Sequence, residues 1–173
     1  FSLQSCVSNY VVSNNPMYKS DAKFASLDIK PITNNSDNQS KKVLASISNA
    51  NAYIKRSAIE NAIKHSNTID NILSEAESYL GTPYRFGGTS RSGIDCSAFV
   101  LSVFGAAAGM NLPRVAAQQS KEGDSVEKAE LQKGDLVFFS HRGGRISHVG
   151  IVEEVTAEGE IKFIHAATSK GVM

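Results

Sequence analysis

The chain has 173 residues, of which 41% are hydrophobic and 20% are charged, a size and composition that predict one packed domain with a tail. The 18 Lys and Arg residues nearly balance the 17 Asp and Glu residues, which argues against nucleic acid as a main partner. Two cysteines, Cys6 and Cys96, are too few for a disulfide framework or a four-ligand zinc site. No stretch reaches about 18 apolar residues, so the sequence predicts no membrane-spanning helix.

Residues 1–40 are predicted to form a lipoprotein-type N-terminus and a flexible tether. Ser and Asn are abundant there, and a segment of this composition cannot bury enough apolar surface to offset its ordering entropy. Near its start, Leu3-Gln4-Ser5-Cys6 resembles the end of a bacterial lipoprotein signal, in which the cysteine is lipidated. We therefore expect Cys6 to carry a lipid anchor, with an ordinary free cysteine in a disordered tail as the alternative.

Apolar residues at spacings of three and four predict two helices in the next part of the chain. The first lies in an N-terminal helical segment, residues 41–68. The second begins at Ile69, with Asn67 or Thr68 as its N-cap, and ends before Gly81. Residue 69 also begins the predicted main domain, 69–173.

A Gly-rich turn over residues 86–93 precedes a third predicted helix, residues 96–109, which is apolar nearly all round. The turn lacks the lysine of a phosphate-binding loop and follows a helix instead of a strand, which argues against nucleotide binding. Asp95 is placed to act as the N-cap of the third helix.

The last part of the chain has the pattern of an antiparallel sheet. Strands are predicted over residues 135–139, 146–155 and 160–166, and residues 156–159 have the composition of a tight turn. Helices followed by an antiparallel meander predict an α+β fold.

Cys96 is the strongest candidate for a catalytic residue. A helix start exposes unpaired N–H groups and the positive end of the helix dipole, which favour the thiolate and lower the pKa of a thiol. The backbone N–H of Cys96 is also suited to hold an oxyanion. A buried structural cysteine is the alternative.

Two histidines in neighbouring predicted strands would complete a site with Cys96. If residues 156–159 form a four-residue turn, His148 lies opposite Ala167 and shares a face with His165. A nucleophilic cysteine needs a base, and the base needs an orienting partner. Structural roles for the histidines and a Cys/His/His zinc site are alternatives, although the spacing fits no compact zinc pattern.

Six motifs follow one another in order: residues 79–88, 93–100, 112–114, 134–139, 148–151 and 163–166. Together they resemble the NlpC family of papain-like cell-wall cysteine peptidases, and most closely the lipid-anchored murein endopeptidases of Gram-negative bacteria. The resemblance covers about residues 69–173. It implies a papain-like α+β fold in which N-terminal helices and the cysteine helix pack on an antiparallel sheet. Family members usually continue past residue 173 with another strand, so we expect a C-terminal strand to be missing.

The resemblance also implies roles for individual residues. Cys96 would be the nucleophile, His148 the general base and His165 the orienting third member of the triad. Tyr84 would help to hold the substrate or the oxyanion. Asp95 and Ser97 would contact the free amine of a stem peptide. Apart from the resemblance, the chemistry of arginine suits the entry-loop residues Arg85, Arg91 and Arg114 to bind the carboxylates of a stem peptide, with solvated surface positions as the alternative. A packed aromatic role for Tyr84 and a purely capping role for Asp95 are alternatives.

The sequence thus predicts a cell-wall hydrolase that is anchored by a lipid in the bacterial envelope, in the periplasm or at the outer membrane. It would cleave amide bonds in peptidoglycan stem peptides or cross-links next to a diamino acid, through a thioester and without a metal or other cofactor. The expected partners are stem peptides and the membrane, and the protein is expected to be a monomer. The alternatives are an acyltransferase with the same Cys–His dyad, a non-catalytic cell-wall binding module and a secreted toxin.

Overall fold

The computed structural model describes residues 37–140 and 143–173, with side chains from residue 41 onwards. Cys6 and the predicted tether up to residue 36 lie outside these residues. Within the described ranges, residues up to 67 belong to one compact unit and residues from 68 to another. No helix in those ranges combines the length and apolarity needed to cross a bilayer.

Helix α1 runs without interruption from Asp37 to Glu77, so the predicted division into two helices is wrong. No Gly or Pro occurs between these two residues, and Asn67 and Thr68 reduce helix stability by only a few tenths of a kcal/mol each. The backbone hydrogen bonding therefore continues through the predicted cap. The helix ends four residues earlier than its next glycine, Gly81, which adopts a left-handed conformation (φ 83°).

Helix α2, Cys96–Ala108, confirms the predicted helix start and its cap. The Asp95 side chain accepts a hydrogen bond from the Ala98 N–H at 2.9 Å, and Gly109 closes the other end with φ 65°. Because α2 is apolar on nearly all sides, it is buried, and Phe99, Val100 and Val103 are wholly inaccessible to solvent. A short helix α3, Ala116–Gln119, follows.

Seven strands complete the fold over residues 37–140 and 143–173. A small hairpin, β1 (Thr89–Ser90) and β2 (Gly93–Ile94), precedes α2. The main sheet has the antiparallel order β3-β4-β5, and a second hairpin is formed by β6 and β7. The bounds of these five strands are Leu136–Ser140, Ile146–Val155, Ile161–Ile164, Ala166–Ala167 and Gly171–Val172.

Helix α2 and the C-terminal part of α1 pack on one face of the main sheet, and a smaller apolar cluster covers the other face. Leu136, Phe138, Val149 and Ile151 line the first face and are fully buried. Alternate residues of β3 and β4 thus point to opposite apolar layers. The α+β class predicted from the sequence is confirmed.

The register between β4 and β5 differs from the prediction. Val155 pairs with Ile161 instead of Glu160, because the turn takes in Glu160, whose carbonyl accepts a hydrogen bond from the Thr156 N–H. A bulge at Glu153 then shifts the ladder by one residue and restores the predicted alignment at Val152. Two deviations therefore cancel before the strands reach the histidines.

The predicted strand 160–166 is divided in two, because its end changes partner. Ala167 pairs with Gly171, not with His148, whose strand partner is Phe139. His165, at the junction, exchanges two backbone hydrogen bonds of 3.0 Å with Met173. This second hairpin therefore fixes the backbone of His165.

Asp135 provides a test of this packing. It is 6% exposed, and burial raises the pKa of its carboxyl to about 6 although the Gln132 N–H donates to it at 2.7 Å. Because the pKa of Asp135 is higher in the folded than in the unfolded protein, folding is favoured when this carboxyl is protonated. The free energy of unfolding therefore falls as the pH rises from about 4 through 6. We expect Asp135→Asn to raise the free energy of unfolding at pH 7.5 by about 1–3 kcal/mol and to change it little at pH 4.

Urea unfolding at the two pH values measures this difference, with the exposed Asp124→Asn as the control. An equal increase in the free energy of unfolding at both pH values would show that the effect of Asp135→Asn does not come from removing a buried charge.

Candidate active site

Cys96 is the first residue of α2 and is only 6% exposed. Its thiol lies 3.9 Å from the carbonyl oxygen of Ser147, and the backbone N–H of Val149 also interacts with the sulfur. These two groups flank His148 in β4. The packing of α2 against β4 therefore holds the sulfur against the stretch of backbone that carries the histidine.

The electrostatic surroundings of Cys96 differ from the prediction. Burial raises the pKa of the thiol, and the negative charge of Asp95 raises it further. The N–H groups of Val149, Ser97 and Cys96 itself lower it without reversing the shift. The predicted lowering of the thiol pKa is therefore wrong, because desolvation outweighs the N–H groups at the helix start.

His148 and His165 form a close pair, as the shared face predicted. Nε2 of His148 lies 2.6 Å from Nδ1 of His165, and the two rings are almost perpendicular. Only one proton can lie between two nitrogens at this distance when both rings are neutral. If it belongs to His148, the other nitrogen of His148 is unprotonated and can act as a base.

Aromatic rings and a glycine determine the environment of the pair. Phe139 packs against His148 and Phe163 against His165, with ring centroids 5.9 and 5.0 Å apart. A Cβ atom on Gly150 would come within 2.6 Å of the Phe163 ring and 3.3 Å of the His165 Cβ, so only glycine permits this approach. The sequence analysis did not identify the role of Phe139 beside His148.

Both histidines are held neutral. Burial, followed by the charge of His165, lowers the pKa of His148 to about 4. Burial also lowers the pKa of His165. With the thiol pKa raised and the imidazole pKa lowered, the resting site holds a neutral thiol and neutral imidazoles at pH 7.

Asp95 connects the start of α2 to two loops. Its carboxylate accepts five hydrogen bonds: two from Arg114, at 2.7 and 3.0 Å, and one each from Gly87 N–H, Ser97 Oγ and Ala98 N–H. Although burial raises the pKa of Asp95, the hydrogen bonds from Arg114 and Ala98 hold it below its usual value. The structure thus confirms the capping role and leaves little capacity for the predicted contact with a substrate amine.

Gln119 is a buried residue of the site that the sequence analysis did not identify. Its Nε2 donates to the carbonyl oxygens of Ser97 and Pro113, both at 2.9 Å, and so joins α3 to the first turn of α2. Its Oε1 is buried without a hydrogen-bond partner within the described ranges. Nothing in the sequence distinguishes this glutamine from the neighbouring Gln118.

The other predicted site residues lie in different surroundings. Tyr84 bridges to Ile94, and burial, then the charges of Cys96 and Asp95, raise the pKa of its phenol. Arg85 is exposed. Arg91 turns away to the end of α1, where it pairs with Glu75 at 3.4 Å. Just after the helix it donates to the Ser78 carbonyl at 2.6 Å and lies 3.7 Å from the centre of the Tyr79 ring.

The predicted cluster of three arginines for substrate carboxylates is therefore not formed. Arg91 binds α1, and Arg114 is paired with Asp95. Across residues 37–140 and 143–173, no group of three His, Cys, Asp or Glu side chains is arranged to hold a metal ion.

Comparisons with known proteins identify a family for this chain. The NlpC/P60 family matches residues 81–173, just over half of the chain. In Escherichia coli (strain K12), the probable endopeptidase NlpC is 43% identical over 106 residues, 61% of this chain and 66% of that protein. The murein DD-endopeptidase MepS/murein LD-carboxypeptidase of the same organism is 38% identical over 114 residues, 66% of this chain and 57% of that protein.

A solved structure shows the same fold. An NlpC/P60 family protein from Bacillus cereus ATCC 10987 is 33% identical with a TM-score of 0.55, over 61% of this chain and 33% of that chain. The matches cover less than two thirds of the length of each of these relatives. The matched motifs, the fold and the family match all lead to one conclusion: the chain belongs to the NlpC/P60 family.

Proposed function

We propose that this protein is a cysteine peptidase that hydrolyses amide bonds in peptidoglycan stem peptides or cross-links. The observation that carries the proposal is the buried Cys96 thiol against the backbone around His148, which is itself paired with His165 at 2.6 Å. Membership of the NlpC/P60 family supports it. So do the names of the two E. coli relatives, an endopeptidase and a murein DD-endopeptidase.

In the proposed reaction the Cys96 proton moves to His148 as the sulfur attacks the scissile carbonyl carbon. Because both groups are neutral at rest, this transfer accompanies the attack and no ion pair precedes it. The oxyanion that forms is held by the Cys96 N–H, which has no partner within α2, and by the Tyr84 hydroxyl. His148 then gives the proton to the leaving amine, and a thioester remains on Cys96.

Water completes the cycle. His148, neutral again, takes a proton from a water molecule that attacks the thioester carbon, and the thiol leaves with that proton. His165 accepts the Nε2 proton of His148 throughout and so keeps the other nitrogen available.

We assign Asp95, Ser97 and Arg114 to positioning Cys96. Arg114 contacts both oxygens of Asp95 and also the Ser97 hydroxyl at 3.1 Å, which fixes the residues on either side of the nucleophile. Of the predicted substrate ligands, Tyr84 and Arg85 are retained for direct contact with the peptide.

The bond that we propose for cleavage is the diaminopimelate–D-alanine cross-link. The alternative within the same class is the D-glutamyl–diaminopimelate bond of a single stem. The name of the E. coli murein DD-endopeptidase favours the cross-link.

The decisive experiment is incubation with purified muropeptides, followed by identification of the products by mass. A cross-linked dimer should release two monomers, whereas loss of a dipeptide from a free stem would indicate the alternative bond. Cys96→Ala should abolish turnover, and His148→Ala should lower it about 10²–10⁴-fold, because proton transfer to a positioned base is lost. His165→Gln should retain more activity, since an amide oxygen can still accept the imidazole proton.

The same assay separates the rival functions. Cleavage of casein without cleavage of any muropeptide would contradict the cell-wall substrate. Binding without turnover would indicate a non-catalytic module, and capture of the thioester by an added amine in preference to water would indicate an acyltransferase.

The pH profile of kcat/KM tests the neutral resting site. Because His148 must be unprotonated to act as a base, activity should rise with pH through an acid limb near pH 4 and then stay level through neutrality. His165→Gln removes the neighbouring charge that, after burial, lowers the His148 pKa, so its acid limb should lie at a higher pH.

His65→Gln, on α1, is the control, and circular dichroism checks that each variant is folded over the range. A wild-type limb near pH 6.5, or identical limbs in wild type and His165→Gln, would disprove this account of the histidine pair.

We also propose that a lipid on Cys6 anchors the protein in the bacterial envelope, with the chain acting as a monomer. The support is the sequence around Cys6 and the envelope substrate proposed above. A diacylated or triacylated cysteine holds a protein firmly on a bilayer. In a native host the protein should fractionate with membranes and show lipid mass on Cys6, and Cys6→Ala should be soluble. Recovery of wild type in the soluble fraction with an unmodified Cys6 would refute the anchor.

A further inference from the structure

A pocket of about 510 Å³ lies between the α3 region and the start of β4, outside the catalytic residues described above. Its lining contains two charged side chains, Lys121 and Arg145, and both are cationic. The other residues used here are Ser120, which is buried, and the half-buried Ile146.

Both walls of the pocket are connected to residues next to Cys96. On one side, Ser120 follows Gln119, whose side chain is hydrogen bonded to the Ser97 carbonyl. On the other side, Ile146 precedes Ser147, whose carbonyl oxygen is 3.9 Å from the Cys96 sulfur. The segments that form the two walls of the pocket therefore contact the Cys96 sulfur and the backbone of Ser97.

The charge of the pocket indicates what it would bind. Ammonium and guanidinium groups favour carboxylates. Stem peptides carry several carboxylates, and two of the three arginines expected to capture them, Arg91 and Arg114, are engaged within the protein. The proposed substrate therefore carries carboxylates, and the chain has a cationic pocket whose walls adjoin residues that contact the start of α2.

We propose that this pocket is a subsite for a carboxylate of the stem peptide, with Lys121 and Arg145 as its ligands. The proposal rests on the proposed function for the identity of the substrate. It makes these two residues determinants of specificity for free over amidated carboxyl groups.

The test compares muropeptides whose carboxyl groups are free with muropeptides amidated at one position at a time: the glutamyl, the diaminopimelyl or the terminal alanyl carboxyl. In wild type, amidation at the position that occupies the pocket should lower kcat/KM about tenfold. In the double variant Lys121→Ala/Arg145→Ala, kcat/KM for the free form should fall by a similar factor, and amidation should have no further effect. The control Lys128→Ala, an exposed lysine that does not line the pocket, should keep the full tenfold discrimination.

Binding to Cys96→Ala, measured by calorimetry with the same peptides, separates this proposal from the proposed function. One outcome is that wild type cleaves none of the peptides while Cys96→Ala binds the free form about tenfold more tightly than the amidated form, and only when Lys121 and Arg145 are present. That result would support the carboxylate subsite and contradict the peptidase function. If wild type cleaves free and amidated peptides equally, or if the double variant loses the same factor on both forms, the pocket is not a carboxylate subsite.

Discussion

The geometry of the site depends on one carboxylate, that of Asp95. It caps α2, binds the Gly-rich turn through the Gly87 N–H and pairs with Arg114 from the next loop. The start of α2, the Gly-rich turn and the loop that carries Arg114 therefore meet at Asp95, one residue before the proposed nucleophile. Loss of this charge would release the helix cap and leave Arg114 without its partner, so the effect on Cys96 would exceed that of a single hydrogen bond.

Burial determines the protonation of the Cys96 thiol and the two imidazoles as well as their positions. The packing that fixes the Cys96 sulfur against β4 also removes it from water, and the aromatic rings around the histidines do the same for the imidazoles. Each charged form is therefore disfavoured, the thiolate as well as the imidazolium. In the mechanism proposed above, such a pair is activated by transfer of one proton within the site, and the positive end of α2 contributes most when negative charge develops on the substrate oxygen.

The sequence was sufficient for features that depend on local chemistry. A Gly-rich turn, an aspartate and an apolar run define where α2 begins, and strand alternation placed His148 and His165 on one face. Features that depend on distant contacts were not predictable. The helix α1 continues through a local capping signal. Arg91 is held at the end of α1 and Arg114 is paired with Asp95, which no local pattern indicates. The direction of the thiol pKa shift depends on how deeply the start of α2 is buried. The shared face of the two histidines was predicted correctly only because the β4 bulge offset an error in the length of the turn, and the predicted pairing of His148 with Ala167 was wrong.

The third member of the proposed triad depends on the hairpin of β6 and β7. His165 exchanges both backbone hydrogen bonds with Met173, and Val172 is in turn bonded to Gly81 and Thr82. Gly171 permits this approach, because it has φ 77° and any side chain there would collide with the Thr82 carbonyl. The position of His165, and through it the tautomer of His148, is therefore set by main-chain packing against the segment just after α1. A substitution at Gly171 would consequently disturb proton transfer at His148 without any contact with the substrate.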